Sequence, residues 1–235
     1  MRLPSRAQWA IWDVRRAVGL TAFSEVRREL RARGVALGES RALDVFGGTG
    51  RAQTVEYGDR VAALEIWEIN PALEPELQAR FTKARIKITD AFMEVMSSPD
   101  TFDLIVVDNP NSTFGAHDER CEHFDLFPDI FRLARTNAVF ILNVFPLVDQ
   151  DAPKYWPGVF NDAQLERRRV FYRTKTPESV PFRSMLETYE RLAQSYGFHI
   201  AWYFWKRAGL KHLLVFRVGA GSSEAHTPGS ASGNA

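Results

Sequence analysis

The sequence is poor in several things that would narrow its class at once. It has one cysteine, Cys121, so no intrachain disulfide framework and no cysteine-rich zinc site can form. That fits a reducing compartment. No apolar stretch approaches the roughly 20 residues of a membrane span, and the basic N-terminus lacks the apolar core of a signal peptide. The cytoplasm and a chain without membrane partners are the expectation. Formal net charge is +1, so no global excess of one sign argues for nucleic acid or a lipid surface. The 45% hydrophobic and 25% charged shares are those of an ordinary soluble globular chain.

The even balance hides local bias. Residues 1–38 carry Arg2, Arg6, Arg15, Arg16, Arg27, Arg28, Arg31 and Arg33 against Asp13, Glu25 and Glu29. Trp9, Trp12, Ala17, Leu20, Phe23, Val26 and Leu30 recur at helical spacing between them, and Gly19 and Thr21 can split the run in two. This segment reads as a basic helical extension. A second basic cluster, Arg167-Arg168-Arg169 with Arg173 and Lys175, lies near Tyr155, Trp156, Phe171 and Tyr172 in a proline-rich insertion over 146–181. Arginines among aromatic rings are the footprint of phosphate contacts with base stacking, so both segments are candidates for nucleic acid, with Arg167, Arg168 and Tyr172 as substrate contacts. A solvated face is the plain alternative.

From residue 39 to 218 short apolar runs alternate with helical ones. Strands are expected at 42–46, 61–67, 86–88, 102–107 and 138–144, with helices at 51–57, 72–81, 93–97 and 122–134 between them. A helix over 182–196 then leads into an antiparallel hairpin, 199–205 with 212–218, and a Gly/Ser/Ala tail from 219 that should be disordered. Such alternation builds βαβ units and a mostly parallel sheet covered on both faces. Ligands bind at the carboxyl ends of such strands. The unusual polar clusters fall there: Asp44-Val45-Phe46-Gly47-Gly48-Thr49-Gly50, Glu68-Ile69-Asn70-Pro71, Asp90-Ala91-Phe92 and Asp108-Asn109-Pro110. Glycine permits positive φ and close approach of a ligand to the backbone.

These four motifs resemble those of the class I S-adenosylmethionine-dependent methyltransferases, over residues 40–145 and the terminal hairpin. The wording is nearest to the nucleic-acid base methylases. The resemblance implies a Rossmann-like, doubly wound, seven-stranded sheet, S-adenosylmethionine as cofactor, and methyl transfer to an RNA or DNA base as the activity. It also implies a cofactor site of Asp44, Phe46, Gly47, Gly48 and Gly50, with Glu68 and Ile69 at the ribose, Asp90 and Ala91 at the adenine, and Asp108 near the reacting end. Asp108, Asn109 and Pro110 fall where amino-methylating members hold the acceptor amine, which makes them the catalytic candidates.

The chain departs from that pattern at Asn111 and Ser112, where a second proline and a stacking aromatic are expected; Phe114 is the nearest ring. His117, Asp118 and Glu119 are further candidates for a base. Cys121 reads as a helix-start residue, not a nucleophile. A small-molecule methyltransferase, an aminopropyltransferase-like enzyme and a non-catalytic binding protein of the same fold remain alternatives. A nicotinamide dehydrogenase would want a third glycine where Gln53 stands.

Overall fold

A computed structural model describes residues 6–108, 113–114, 119–148, 151, 160–209 and 211–221. Its centre is a seven-stranded sheet. In chain order the strands are β1 (Arg41–Asp44), β2 (Ala63–Glu68), β3 (Arg85–Ile88), β4 (Phe102–Val107), a small ribbon of β5 (Thr113–Phe114) and β6 (Arg120–Cys121), then β7 (Ala134–Val144), β8 (Phe198–Ala208) and β9 (Lys211–Ala220). The helices are α1 (Arg6–Ala17), α2 (Ala22–Ala32), α3 (Thr54–Tyr57), α4 (Glu74–Arg80), α5 (Ala91–Ser97), α6 (Glu122–Ile130), α7 (Asp162–Tyr172) and α8 (Phe182–Ser195).

The strand order is β3-β2-β1-β4-β7-β9-β8. The first five run parallel, and β9 enters antiparallel between β7 and β8. The chain steps outward from β1 to β3 and then returns to β4 on the other side of β1. That reversal opens a crevice above the carboxyl ends of β1 and β4, where open sheets of this kind bind ligands.

The buried strands read as continuous apolar runs because both faces are covered. On one face Phe23, Val26 and Leu30 of α2 join Ala42, Tyr57, Ile66, Leu77 and Val215. On the other, Phe127, Phe131, Met185 and Tyr189 pack on Ile105, Phe140 and Phe216.

Several boundaries differ from the sequence expectation. The N-terminal segment divides where Thr21 caps α2, its Oγ1 accepting the Ser24 amide at 3.0 Å. α2 packs into the core through Phe23, Val26 and Leu30, whereas no residue of α1 belongs to either large cluster. The helix expected from residue 51 begins at Thr54, after a turn. β7 starts at Ala134 and passes through Asn137 with φ of 72°. β9 runs to Ala220, so the tail expected from 219 overlaps a strand that pairs with β8. The insertion contains α7, whose Tyr172 is part of the core. Among the described residues no helix is long and apolar enough to cross a membrane.

Candidate active site at the carboxyl edge of the sheet

Where β1 ends, its last side chain turns inward. Asp44 is fully buried, and its Oδ2 accepts Thr54 Oγ1 at 2.6 Å and Tyr57 Oη at 2.8 Å. Burial, reinforced by the negative charge of Asp108, pushes its carboxyl up to about 6, against the hydrogen bonds from Thr54 and Tyr57. Asp44 therefore anchors the turn from below.

The glycines above it have distinct reasons. A Cβ at Gly47 would lie 2.3 Å from Ile66 Cγ2, and one at Gly50 2.4 Å from Phe81 Cε2, so both are needed for packing. Gly48 differs: at φ of 52° an added Cβ would meet nothing within 4 Å. At the carboxyl end of β1 this leaves the Gly48 backbone open to close approach. Phe46 beside them is partly buried against the core.

Glu68 ends β2 and reaches across to this turn. Its Oε2 accepts the Gly48 amide at 2.7 Å and its Oε1 the Asn70 amide at 2.8 Å. Each carboxylate oxygen keeps a further lone pair, so a fixed, two-pronged acceptor remains for a vicinal diol. Ile69, next in the chain, is 65% exposed, an apolar surface beside that acceptor. After β3, Asp90 caps α5, with Oδ1 accepting the Phe92 amide at 2.9 Å. Ala91 is buried behind it. Arg120, which the sequence did not single out, lies 3.8 Å from Asp90 Oδ2 and 5.0 Å from the centre of the Phe92 ring.

At the end of β4, Asp108 is held by residues from three other elements. Its Oδ1 accepts Gln53 Nε2 at 2.8 Å, Asn143 Nδ2 at 2.5 Å and Lys211 Nζ at 3.1 Å. Gln53 Nε2 also donates to Asn143 Oδ1 at 2.8 Å. Polar groups thus run across the sheet edge from Glu68, through Gly48 and Gln53, to Asp108, Asn143 and Lys211. Asn109, Pro110, Asn111, Ser112, His117 and Asp118 lie outside the described residues, as do Tyr155 and Trp156. Phe114 is placed in β5.

The expected substrate contacts are elsewhere. Arg168 is buried: its Nε donates to the Pro177 carbonyl at 2.5 Å, its guanidinium also to the Phe145 carbonyl, and it sits 5.5 Å from the centre of the Tyr172 ring. Arg167 pairs with Asp125 at 3.2 Å and donates to the Glu119 carbonyl. The Tyr172 hydroxyl is 3.0 Å from that of Tyr189, which bonds His123 Nε2 at 2.8 Å. Burial holds the His123 ring neutral, lowering it to about 3. These side chains fasten α7 to the body, so Arg168 and Tyr172 are not free to meet a phosphate or a base. Cys121 is the residue before α6, and burial pushes its thiol up to about 12, which suits a structural position and not a nucleophile.

No family model matches the chain, and no curated protein does. Solved structures do. The magnesium protoporphyrin IX methyltransferase of Synechocystis PCC 6803, solved with bound SAH, is 12% identical over 94% of this chain and 90% of its own, with a TM-score of 0.55. The same protein with bound SAM gives 12% identity, 94% and 86% coverage, and a TM-score of 0.52. The fold is therefore the Rossmann-like fold of the class I methyltransferases. The strand order and the antiparallel β9 follow that plan.

Proposed function

We propose that the protein is an S-adenosylmethionine-dependent methyltransferase whose cofactor lies along the carboxyl edge of the sheet, from β2 to β4. The observation that carries this is Glu68, a carboxylate fixed by two backbone amides beside Gly48, where an added Cβ would meet open space. When bound, the cofactor supplies an electrophilic methyl on a sulfonium.

The chain's own residues then have defined tasks. Glu68 accepts the two ribose hydroxyls, and Ile69 offers apolar contact beside them. Asp90 and Ala91 border the adenine. Gly47, Gly48 and Gly50 let the backbone come close, above the anchored Asp44 and beside Phe46. Asp108 accepts an N–H of the acceptor and aims its lone pair; Asn109 and Pro110 complete that grip. A carboxylate there also takes the proton released after attack. Holding the nucleophile at near-attack distance is the main requirement when the donor is already activated.

The acceptor reading that we favour is a small amine-bearing molecule. The sequence favoured an RNA or DNA base because of the motif wording, the arginine-rich N-terminal segment and the basic aromatic insertion. In the insertion Arg168 is buried on backbone carbonyls and Arg167 is paired with Asp125, which weakens that segment's part of the footprint.

The test is transfer of labelled methyl from S-adenosylmethionine into RNA, DNA, protein and small-molecule pools. Label in the small-molecule pool, lost with Asp108→Asn, supports the reading. Label in RNA or DNA would replace the acceptor class while keeping the activity. No label in any pool, with no cofactor binding, would overturn the activity itself.

A further inference from the structure

One acceptor atom under the glycine turn is buried without a hydrogen-bond partner, Gln53 Oε1; the Asp44 carboxyl beside it is served by Thr54, Tyr57 and the Phe46 amide. Gln53 is 6% exposed and Asp44 is 0% exposed. A buried acceptor without a donor is unfavourable, and one held beside Asp108 at the carboxyl edge of the sheet points to a ligand.

The orientation of the Gln53 amide follows from its partners. Nε2 donates to two oxygens, Asp108 Oδ1 and Asn143 Oδ1, each at 2.8 Å. Flipping the amide would set its oxygen against both of them, so the network fixes which end is which. Oε1 is thereby a pre-oriented acceptor. It is adjacent in the chain to Thr54, whose hydroxyl binds Asp44 Oδ2 at 2.6 Å. Lys211 donates to Asp108 Oδ1 and leaves Gln53 Oε1 unpartnered. What the orphaned Gln53 oxygen calls for, beside the Asp108 carboxylate, is a compact N–H donor of positive charge.

We propose that Gln53 is a cofactor-binding residue whose Oε1 receives the methionyl ammonium of S-adenosylmethionine, while its Nε2 holds Asp108 in register with that end of the ligand. This rests on the cofactor reading given above. It assigns Gln53 to the amino-acid half of the cofactor and leaves the nucleoside half to Glu68, Ile69, Asp90 and Ala91. One side chain then joins the donor's position to that of the acceptor-holding carboxylate.

The two halves separate experimentally. Calorimetric titrations of the full chain use S-adenosylhomocysteine, which carries the ammonium, and 5′-methylthioadenosine, which lacks the amino-acid half. Wild type should bind both. Gln53→Met should lose roughly tenfold to a hundredfold in affinity for S-adenosylhomocysteine, the scale of a hydrogen bond to a charged group. Its affinity for 5′-methylthioadenosine should stay within about twofold, the limit set by its lacking that bond. Gln53→Leu takes its place should the Met variant fail to fold. Equal losses for both ligands, or no loss for either, as when a water serves Oε1, would overturn the assignment. A wild type that binds neither ligand rejects the cofactor reading, a result distinct from failure of the Gln53 assignment.

Discussion

Lys211 Nζ lies 3.1 Å from Asp108 Oδ1, joining the first residue of β9 to the end of β4. The pair is partly shielded, with side-chain exposures of 31% and 12%. Lys211 thus helps to fix the carboxylate that we assign to the acceptor.

Lys211→Met should leave cofactor affinity unchanged and lower methyl transfer by roughly tenfold or more, the scale of a charged hydrogen bond. Lys211→Arg should restore part of the rate. Calorimetry paired with the label-transfer assay checks this. A parallel fall in cofactor affinity would place Lys211 in the cofactor site instead.

Asp44 predicts a pH effect on stability. Its folded carboxyl titrates at about 6, above the unfolded value of roughly 3.9. The native state therefore binds the proton more tightly, and stability from this group rises as pH falls from above 6 towards 4. The shift amounts to about 3 kcal/mol at most. Urea unfolding of wild type and Asp44→Asn between pH 8 and pH 4.5 should show their difference moving in favour of wild type as pH falls. A pH-independent difference would contradict a buried, titrating Asp44.

Arg168 predicts a structural loss. Arg168→Met leaves the carbonyls of Phe145 and Pro177 without their donor, and should cost about 2–4 kcal/mol of unfolding free energy. Denaturant titration measures it. A variant as stable as wild type, with altered acceptor affinity, would return Arg168 to the substrate role expected from the sequence.

The parts of the site that could be read in the sequence are those set by local chemistry. A buried parallel strand is a continuous apolar run, so the ends of β1, β2 and β4 stood out, and Glu68 and Asp108 with them. Gly47, Gly48 and Gly50 were visible because a side chain at Gly47 would meet Ile66 and the other two take positive φ. Gln53, Asn143 and Lys211 were not visible, since they lie 55, 35 and 103 positions from the Asp108 they hold. Only the folded sheet edge brings them together.

Charge misled in two places. The arginines around Val26 and Leu30 made α2 read as an extension, although its Phe23-Val26-Leu30 spacing already described a core face. In Arg167-Arg168-Arg169 the sequence could not say which arginine faced inward. The one signal was the i, i+4, i+8 series Gln164, Arg168 and Tyr172, which are all buried.

The most direct test of the central claim is the titration of S-adenosylhomocysteine into wild type and Glu68→Ala. Wild type should bind, and the variant should lose about 1.5–3 kcal/mol of binding free energy with its fold intact by circular dichroism. Unchanged affinity in a folded Glu68→Ala protein, or no binding to wild type, would contradict it.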